Sequence, residues 1–204
     1  MKQKLIVIDN YDSFTFNLVE YLRDLTGDNP VVVRNDAIPL ESLEEYDIII
    51  LSPGPGLPKE AGLLKQIIKK YGPTKKMLGV CLGHQAIAEV YGGSLANLSR
   101  VYHGVATQMN KTKNDHFLFD SLPDSFEAGR YHSWIVQSDS LPDELEVLAR
   151  DDEGHIMALH HKEYELYGVQ FHPESILTPG GKRILKNFLD HCEPEIKTKN
   201  NLKR

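Results

Sequence analysis

The sequence predicts an α/β fold: an open, mostly parallel sheet with helices on both faces, and a smaller antiparallel strand element in the second half. Two observations carry that prediction. The first half alternates strand-length apolar runs with segments of helical period, and runs that are apolar at every position suit strands covered on both faces. After residue 93 the texture changes to short strand-like segments separated by Asp, Gly and Pro, the pattern of antiparallel pairing.

The elements follow in order. LIVIDN (residues 5–10) is a strand, and SFTFNLVEYLRDL (13–25) repeats apolar residues at helical spacing. PVVVRND (30–36) and YDIIILS (46–52) are the second and third strands. EAGLLKQIIKKYG (60–72) is an amphipathic helix whose lysines gather toward its end, where they complement the helix dipole, with Gly72-Pro73 as the stop. KKMLGV (75–80) is a fourth strand, and HQAIAEVYGG (84–93) a short helix ending in glycines. GSLANLS, YHGVATQMN, EAGRYHSWIVQ, LEVLARDD, HIMALHH and YELYGVQFHPES are strand-like, the last returning to the main sheet near YGVQF. GGKRILKNFLDHC (180–192) is the closing helix. Residues 1–192 therefore read as a single domain. Residues 193–204, basic and without apolar period, are expected to fray.

Bulk properties narrow the function. The chain has 204 residues, 41% hydrophobic and 25% charged, enough for a real core. A net charge of -6 lacks the basic footprint of a nucleic-acid binder. No apolar run approaches the about 20 residues of a membrane helix. The N-terminal run is followed by acidic residues and shows no small-residue cleavage site, so no signal peptide is expected. The two cysteines, Cys81 and Cys192, form neither a disulfide framework nor a CxxC metal pair. A reducing cytoplasm, with Cys81 a free thiol, is the expected setting.

Three segments carry chemistry. In GVCLG (79–83) a cysteine sits between glycines where a strand gives way to a helix, the spacing of the G-x-S-x-G turn of hydrolases with sulfur in place of oxygen. Such a turn lifts Cys81 above the strand end, aims a helix N-terminus at the sulfur, and leaves the Leu82 N–H to meet an oxyanion. The bland alternative is a buried thiol in a tight turn. In QFHPES (170–175), Pro173 biases His172 toward extended backbone, and His172 and Glu174, two residues apart, would then project together from a strand end. Here the bland alternative is a surface His–Glu pair. In LSPGPGLP (51–58), two glycines held between prolines make a stiff loop able to offer the Gly56 N–H as a second oxyanion donor, or merely to turn the chain. A non-enzymatic reading uses Asp9 and Asp12, after the first strand, as a receiver-like Mg²⁺ site; helix capping explains the same residues. A thiol hydrolase acting on peptides or esters is a further alternative.

LIVIDNYDSFTFNL, LSPGPGLP, GVCLGHQAI, YHSW and GVQFHPESILT, in this order, resemble class I glutamine amidotransferases, and more narrowly the amidotransferase subunits of anthranilate synthase and aminodeoxychorismate synthase. The resemblance runs from about residue 5 to 189 and implies a flavodoxin-like sheet. It implies a Cys81–His172–Glu174 triad, oxyanion donors at Gly56 and Leu82, and a glutamine site that includes Gly54, Gln85 and the backbones of Ser133 and Trp134. Trp134 departs from the aliphatic residue more common there, which bears on packing beside the substrate. The resemblance further implies no metal or cofactor in this chain, L-glutamine as substrate, and a separate chorismate-binding synthase subunit, carrying Mg²⁺, as partner. Anthranilate is the first reading of that partner's product, with 4-amino-4-deoxychorismate, or both from one shared subunit, as the alternatives. The same chemistry serves GMP, CTP and carbamoyl phosphate synthesis elsewhere; IDNYDSFTFNL and FHPESILT favour the chorismate group.

Overall fold

A computed structural model of the chain describes residues 3–193. The expected tail lies, but for its first residue, outside the described residues. In chain order the elements are β1 (Leu5–Asp9), α1 (Thr15–Thr26), β2 (Val31–Arg34), β3 (Ile48–Leu51), α2 (Leu64–Tyr71), β4 (Lys76–Val80), α3 (Leu82–Val90), β5 (Leu95–Asn97), β6 (Val105–Lys111), β7 (Ser125–Arg130), β8 (Trp134–Val136), β9 (Leu145–Asp151), β10 (Ile156–His161), β11 (Leu166–Val169) and α4 (Gly181–Cys192). Nine strands form one sheet in the order β2-β1-β3-β4-β11-β10-β9-β6-β7. The five from β2 to β11 are parallel, and the remaining four continue the same sheet antiparallel. Among the described residues, β5 and β8 form a separate antiparallel pair.

Alternation along each strand sends side chains to two cores. Val7, Ile48, Ile50, Leu78, Val80 and Val169 face α1 and α4, meeting Leu18, Leu22, Ile184, Leu185 and Phe188. Ile6, Ile8, Ile49, Leu51, Met77 and Leu166 face α2 and α3, meeting Leu64, Ile67, Ile68, Ala86 and Ile87. Each such side chain, fully buried, contributes about 1.5–3 kcal/mol against exposure. The parallel strands therefore sit between two helical layers, with their carboxyl ends along one rim.

Two helix boundaries differ from expectation. The helix expected over residues 60–72 begins at Leu64, because Gly62 adopts φ +51° and separates it from a 3₁₀ turn at Pro58–Glu60. The helix expected over 84–93 begins at Leu82, directly after Cys81. That shift brings the helix N-terminus against the cysteine.

Candidate active site

Cys81 closes β4 and stands at the N-cap of α3 with φ 50° and ψ -97°, a conformation L residues rarely adopt. Holding it costs of order 1–3 kcal/mol, supplied by the surrounding packing. The glycines on either side make that packing possible. A Cβ on Gly79 would lie 2.5 Å from the Gly83 carbonyl carbon, and one on Gly83 2.7 Å from the Leu51 carbonyl oxygen. The first bond of α3 runs from Gln85 N–H to the Cys81 carbonyl, so the N–H groups of Leu82, Gly83 and His84 precede it. Leu82 is thus a free-ended donor next to the sulfur in sequence.

The parallel register places Val169 of β11 beside Val80 of β4, and the Cys81 N–H bonds the Val169 carbonyl at 2.8 Å. The residues that follow each strand therefore share the rim. Gln170 donates from Nε2 toward Cys81 Sγ at 3.6 Å. Two residues on, the His172 N–H bonds the Gly129 carbonyl at 2.9 Å, and Thr178 Oγ1 donates to the His172 carbonyl at 2.6 Å. The His172 backbone is pinned to β7 and to the loop ahead of α4.

His172 Nδ1 meets Glu174 Oε1 at 2.7 Å, with both side chains buried. This pairing is made by a turn rather than by the extended backbone the sequence suggested. The Ser175 N–H bonds the His172 carbonyl, and Pro173, whose ring presets φ, occupies the second turn position. His172 Nε2 has no hydrogen bond of normal geometry, yet Cys81 is close enough to act on the ring. Burial alone would lower the His172 pKa; Cys81 and Glu174 outweigh it and push it up to about 10. The ring is held protonated through neutral pH. Phe14 and Tyr131 wall it in, their rings 5.2 and 4.8 Å from the imidazole, and Tyr131 Oη pairs with Ser175 Oγ at 3.0 Å.

Gln85, one turn along α3, donates from Nε2 to the Trp134 carbonyl at 2.9 Å and to Gln170 Oε1 at 3.1 Å. Ser133 and Trp134 are half-buried at the start of β8, and the Ser133 carbonyl accepts from Leu98 N–H at 2.7 Å. Gly54 packs against the Leu82 side chain and Asn10, where an added Cβ would meet Leu82 Cδ2 at 2.5 Å. Its loop is braced by Asn10, which bonds Ser52 through its own N–H and its amide and accepts from Asn35. Gly56 lies farther along this loop at φ 71°; among the described residues no hydrogen bond ties it to the Cys81 turn. The structure thus gathers Cys81, His172, Glu174, Gln85, Trp134 and Gly54 at one rim, and leaves Gly56 linked to it only through its loop.

Asp9 and Asp12 have local duties. Asp9 accepts from the Tyr11 N–H and Thr15 hydroxyl, and Asp12 from the Phe14 N–H, ordering the entry to α1. Among the described residues no group of three or more His, Cys, Asp or Glu is placed to hold a metal. Nor is any described helix long and apolar enough to cross a membrane. Gln170, Tyr131 and Phe14 were not singled out from the sequence. Gln170 had a usable signal, since it follows an apolar strand end as Cys81 does; the aromatic wall had none.

A thiol on a strained strand-to-helix turn, beside a buried His–Glu pair at the carboxyl rim of an open α/β sheet, defines a site suited to acyl transfer through a thioester. The family model for class-I glutamine amidotransferase matches residues 6–192, and the chain belongs to that family. It is 43% identical over 194 residues to the aminodeoxychorismate/anthranilate synthase component 2 of Bacillus subtilis, covering 94% of this chain and 98% of that one. It is also 43% identical over 198 residues to the bifunctional protein TrpGD of Thermotoga maritima, covering 96% of this chain but only 33% of that longer protein. A solved structure from Thermoplasma acidophilum, described as a GMP synthase protein, superposes with a TM-score of 0.83 at 27% identity, covering 94% of each chain.

Proposed function

We propose that this chain hydrolyses L-glutamine at Cys81 and passes the ammonia to a chorismate-binding synthase subunit in the cytoplasm. The observation that carries the reading is Cys81 at a positive-φ turn beside the buried His172–Glu174 pair. The Cys81 thiolate attacks the carboxamide carbon, and the carbonyl electrons move to oxygen, where the N–H groups of Leu82 and Gly56 donate hydrogen bonds to the oxyanion. His172 gives its Nε2 proton to the departing nitrogen, the C–N bond breaks, and ammonia leaves a glutamyl thioester on Cys81. Water, deprotonated by His172, attacks the thioester; glutamate departs and the thiolate returns. Glu174 keeps the ring oriented and stabilises its charged form, as the buried carboxylate does in serine-hydrolase triads. Gly54, Gln85 and the Ser133–Trp134 backbone hold the substrate.

Ammonia in water becomes ammonium and loses its nucleophilicity, so the acceptor enzyme must cover the rim. Phe16 and Ile176, 76% and 92% exposed, are each two residues from a group at the site, Phe14 and Glu174, and suit such a contact. The synthase subunit would carry the Mg²⁺ used with chorismate. The name of the Bacillus subtilis relative joins both products, which supports a role in either anthranilate or 4-amino-4-deoxychorismate synthesis. Glutamine-dependent product formation with each purified synthase tests this. Production of either with wild-type chain but not Cys81→Ala is expected; equal production by both would overturn it.

A further inference from the structure

Behind the substrate segment lies a buried ion pair that the steps above do not use. Arg130, at the end of β7, and Asp151, at the end of β9, are 1% and 2% exposed and meet at 2.7 Å. Asp151 is anchored by the N–H groups of Glu153 and His155 on one oxygen and the His155 ring on the other. The Arg130 guanidinium lies 3.6 Å from the centre of the Tyr102 ring, which in turn stacks on His132. Arg130 Nη1 is committed to the Asp151 carboxylate. Arg130, however, also directs Nε at His132 Nε2, 3.1 Å away.

Arginine is a donor only, so His132 Nε2 must be the acceptor and its proton must sit on Nδ1. Nδ1 then donates to the Trp134 carbonyl at 3.0 Å. That oxygen also takes the Gln85 amide, so both its lone pairs are used. With Gln85 Nε2 facing the carbonyl and Gln170 Oε1, Gln170 is left to present Nε2 to the Cys81 sulfur. Hydrogen bonds thus link Asp151 to the nucleophile in two parts that meet at the Trp134 carbonyl: Arg130 sets the direction of the His132 part, and the acceptor-only carbonyl sets that of the Gln85–Gln170 part. The opposite tautomer of His132 would set N–H against N–H at Arg130 and a lone pair against a lone pair at Trp134.

We infer that Arg130 and Asp151 are positioning residues for glutamine: through the tautomer of His132 they hold the Trp134 carbonyl in place, and with it the Ser133–Trp134 backbone on which the Gln85 amide is anchored beside Cys81. This rests on the glutaminase reading.

The test compares two alkylating agents on the full chain. A diazoketone analogue of glutamine reads the substrate site, and iodoacetamide reads the thiol alone. His132→Phe keeps the ring volume and the Arg130–Asp151 pair; Arg130→Lys keeps the charge but not the fixed Nε–H. Each is expected to raise the half-saturating concentration of the analogue about ten-fold, the equivalent of one hydrogen bond, with iodoacetamide rates within about two-fold of wild type. Imidazole ¹⁵N NMR should show His132 protonated at Nδ1 in wild type and a tautomer mixture in Arg130→Lys. Wild-type half-saturation in both variants, or equal losses with both reagents, overturns the inference and leaves the glutaminase reading intact. A wild-type chain that the analogue does not label sinks both.

Discussion

At His172 two neighbours act on one ring. Glu174 takes Nδ1 and Cys81 lies toward the other side, so the charged imidazole is favoured although the ring is buried. Replacing Glu174 with Gln keeps the shape and removes the charge that stabilises the imidazolium. Glutaminase kcat should fall by about 10²–10⁴-fold, the range for positioned acid–base catalysis, with a smaller change in KM. Ammonia release in the presence of the synthase partner measures both. An unchanged kcat would remove Glu174 from the mechanism.

The strand-to-helix turn shows what one element contributes and how much of it was legible. Gly83→Ala would place a methyl 2.7 Å from the Leu51 carbonyl oxygen, a main-chain atom that cannot rotate away. Destabilisation of about 1–3 kcal/mol follows, read as a fall in Tm of about 2–4 °C per kcal/mol in a chain of this size. Cys81 alkylation should slow as the turn shifts; an unchanged Tm would refute the close-packing account. This turn was readable because its glycines, its cysteine and the strand before it are adjacent in sequence. The His172–Glu174 pairing was readable too, although a proline turn, not an extended chain, produces it. The continuation of the sheet through β10, β9, β6 and β7 was not, because short alternating strands state no partner. Arg130 and Asp151 were invisible for a related reason. Neither sits in a motif, and only the β7–β6–β9 pairing makes them neighbours.

Over the whole molecule, buried histidines set the pH range of stability. Burial lowers His84 from 6.5 to about 4, and burial with the Arg130 cation lowers His132 to about 3. The folded chain keeps both neutral, whereas the unfolded chain binds protons on them below 6.5. Stability must therefore fall as pH drops below that value, by about 1.4 kcal/mol per group per pH unit until each folded pKa is reached. His172 works in the opposite direction. Its raised pKa adds stability that is complete below 6.5 and lost as pH climbs toward about 10. Thermal melts across pH should peak near neutrality, and a flat Tm from pH 4 to 6.5 would contradict the burial of these rings. The exposed Phe16 and Ile176 belong to the same scale, as a surface that a partner would cover. Ile176→Asp should weaken a synthase complex by about ten-fold or more while leaving iodoacetamide labelling of Cys81 intact. Titration by calorimetry measures this, and undiminished affinity would move the docking face elsewhere.

The central claim is that Cys81 is a nucleophile poised for glutamine. Mass spectrometry after incubation with the diazoketone analogue, scoring Cys81 and Cys192 separately, tests it most directly. Both thiols are buried, and burial pushes the Cys192 pKa up to about 12, which leaves it inert. The account predicts a single adduct on Cys81, suppressed by glutamine and absent in Cys81→Ala. An unlabelled Cys81, even beside its synthase partner, would contradict it and return GVCLG to a tight turn around a buried thiol.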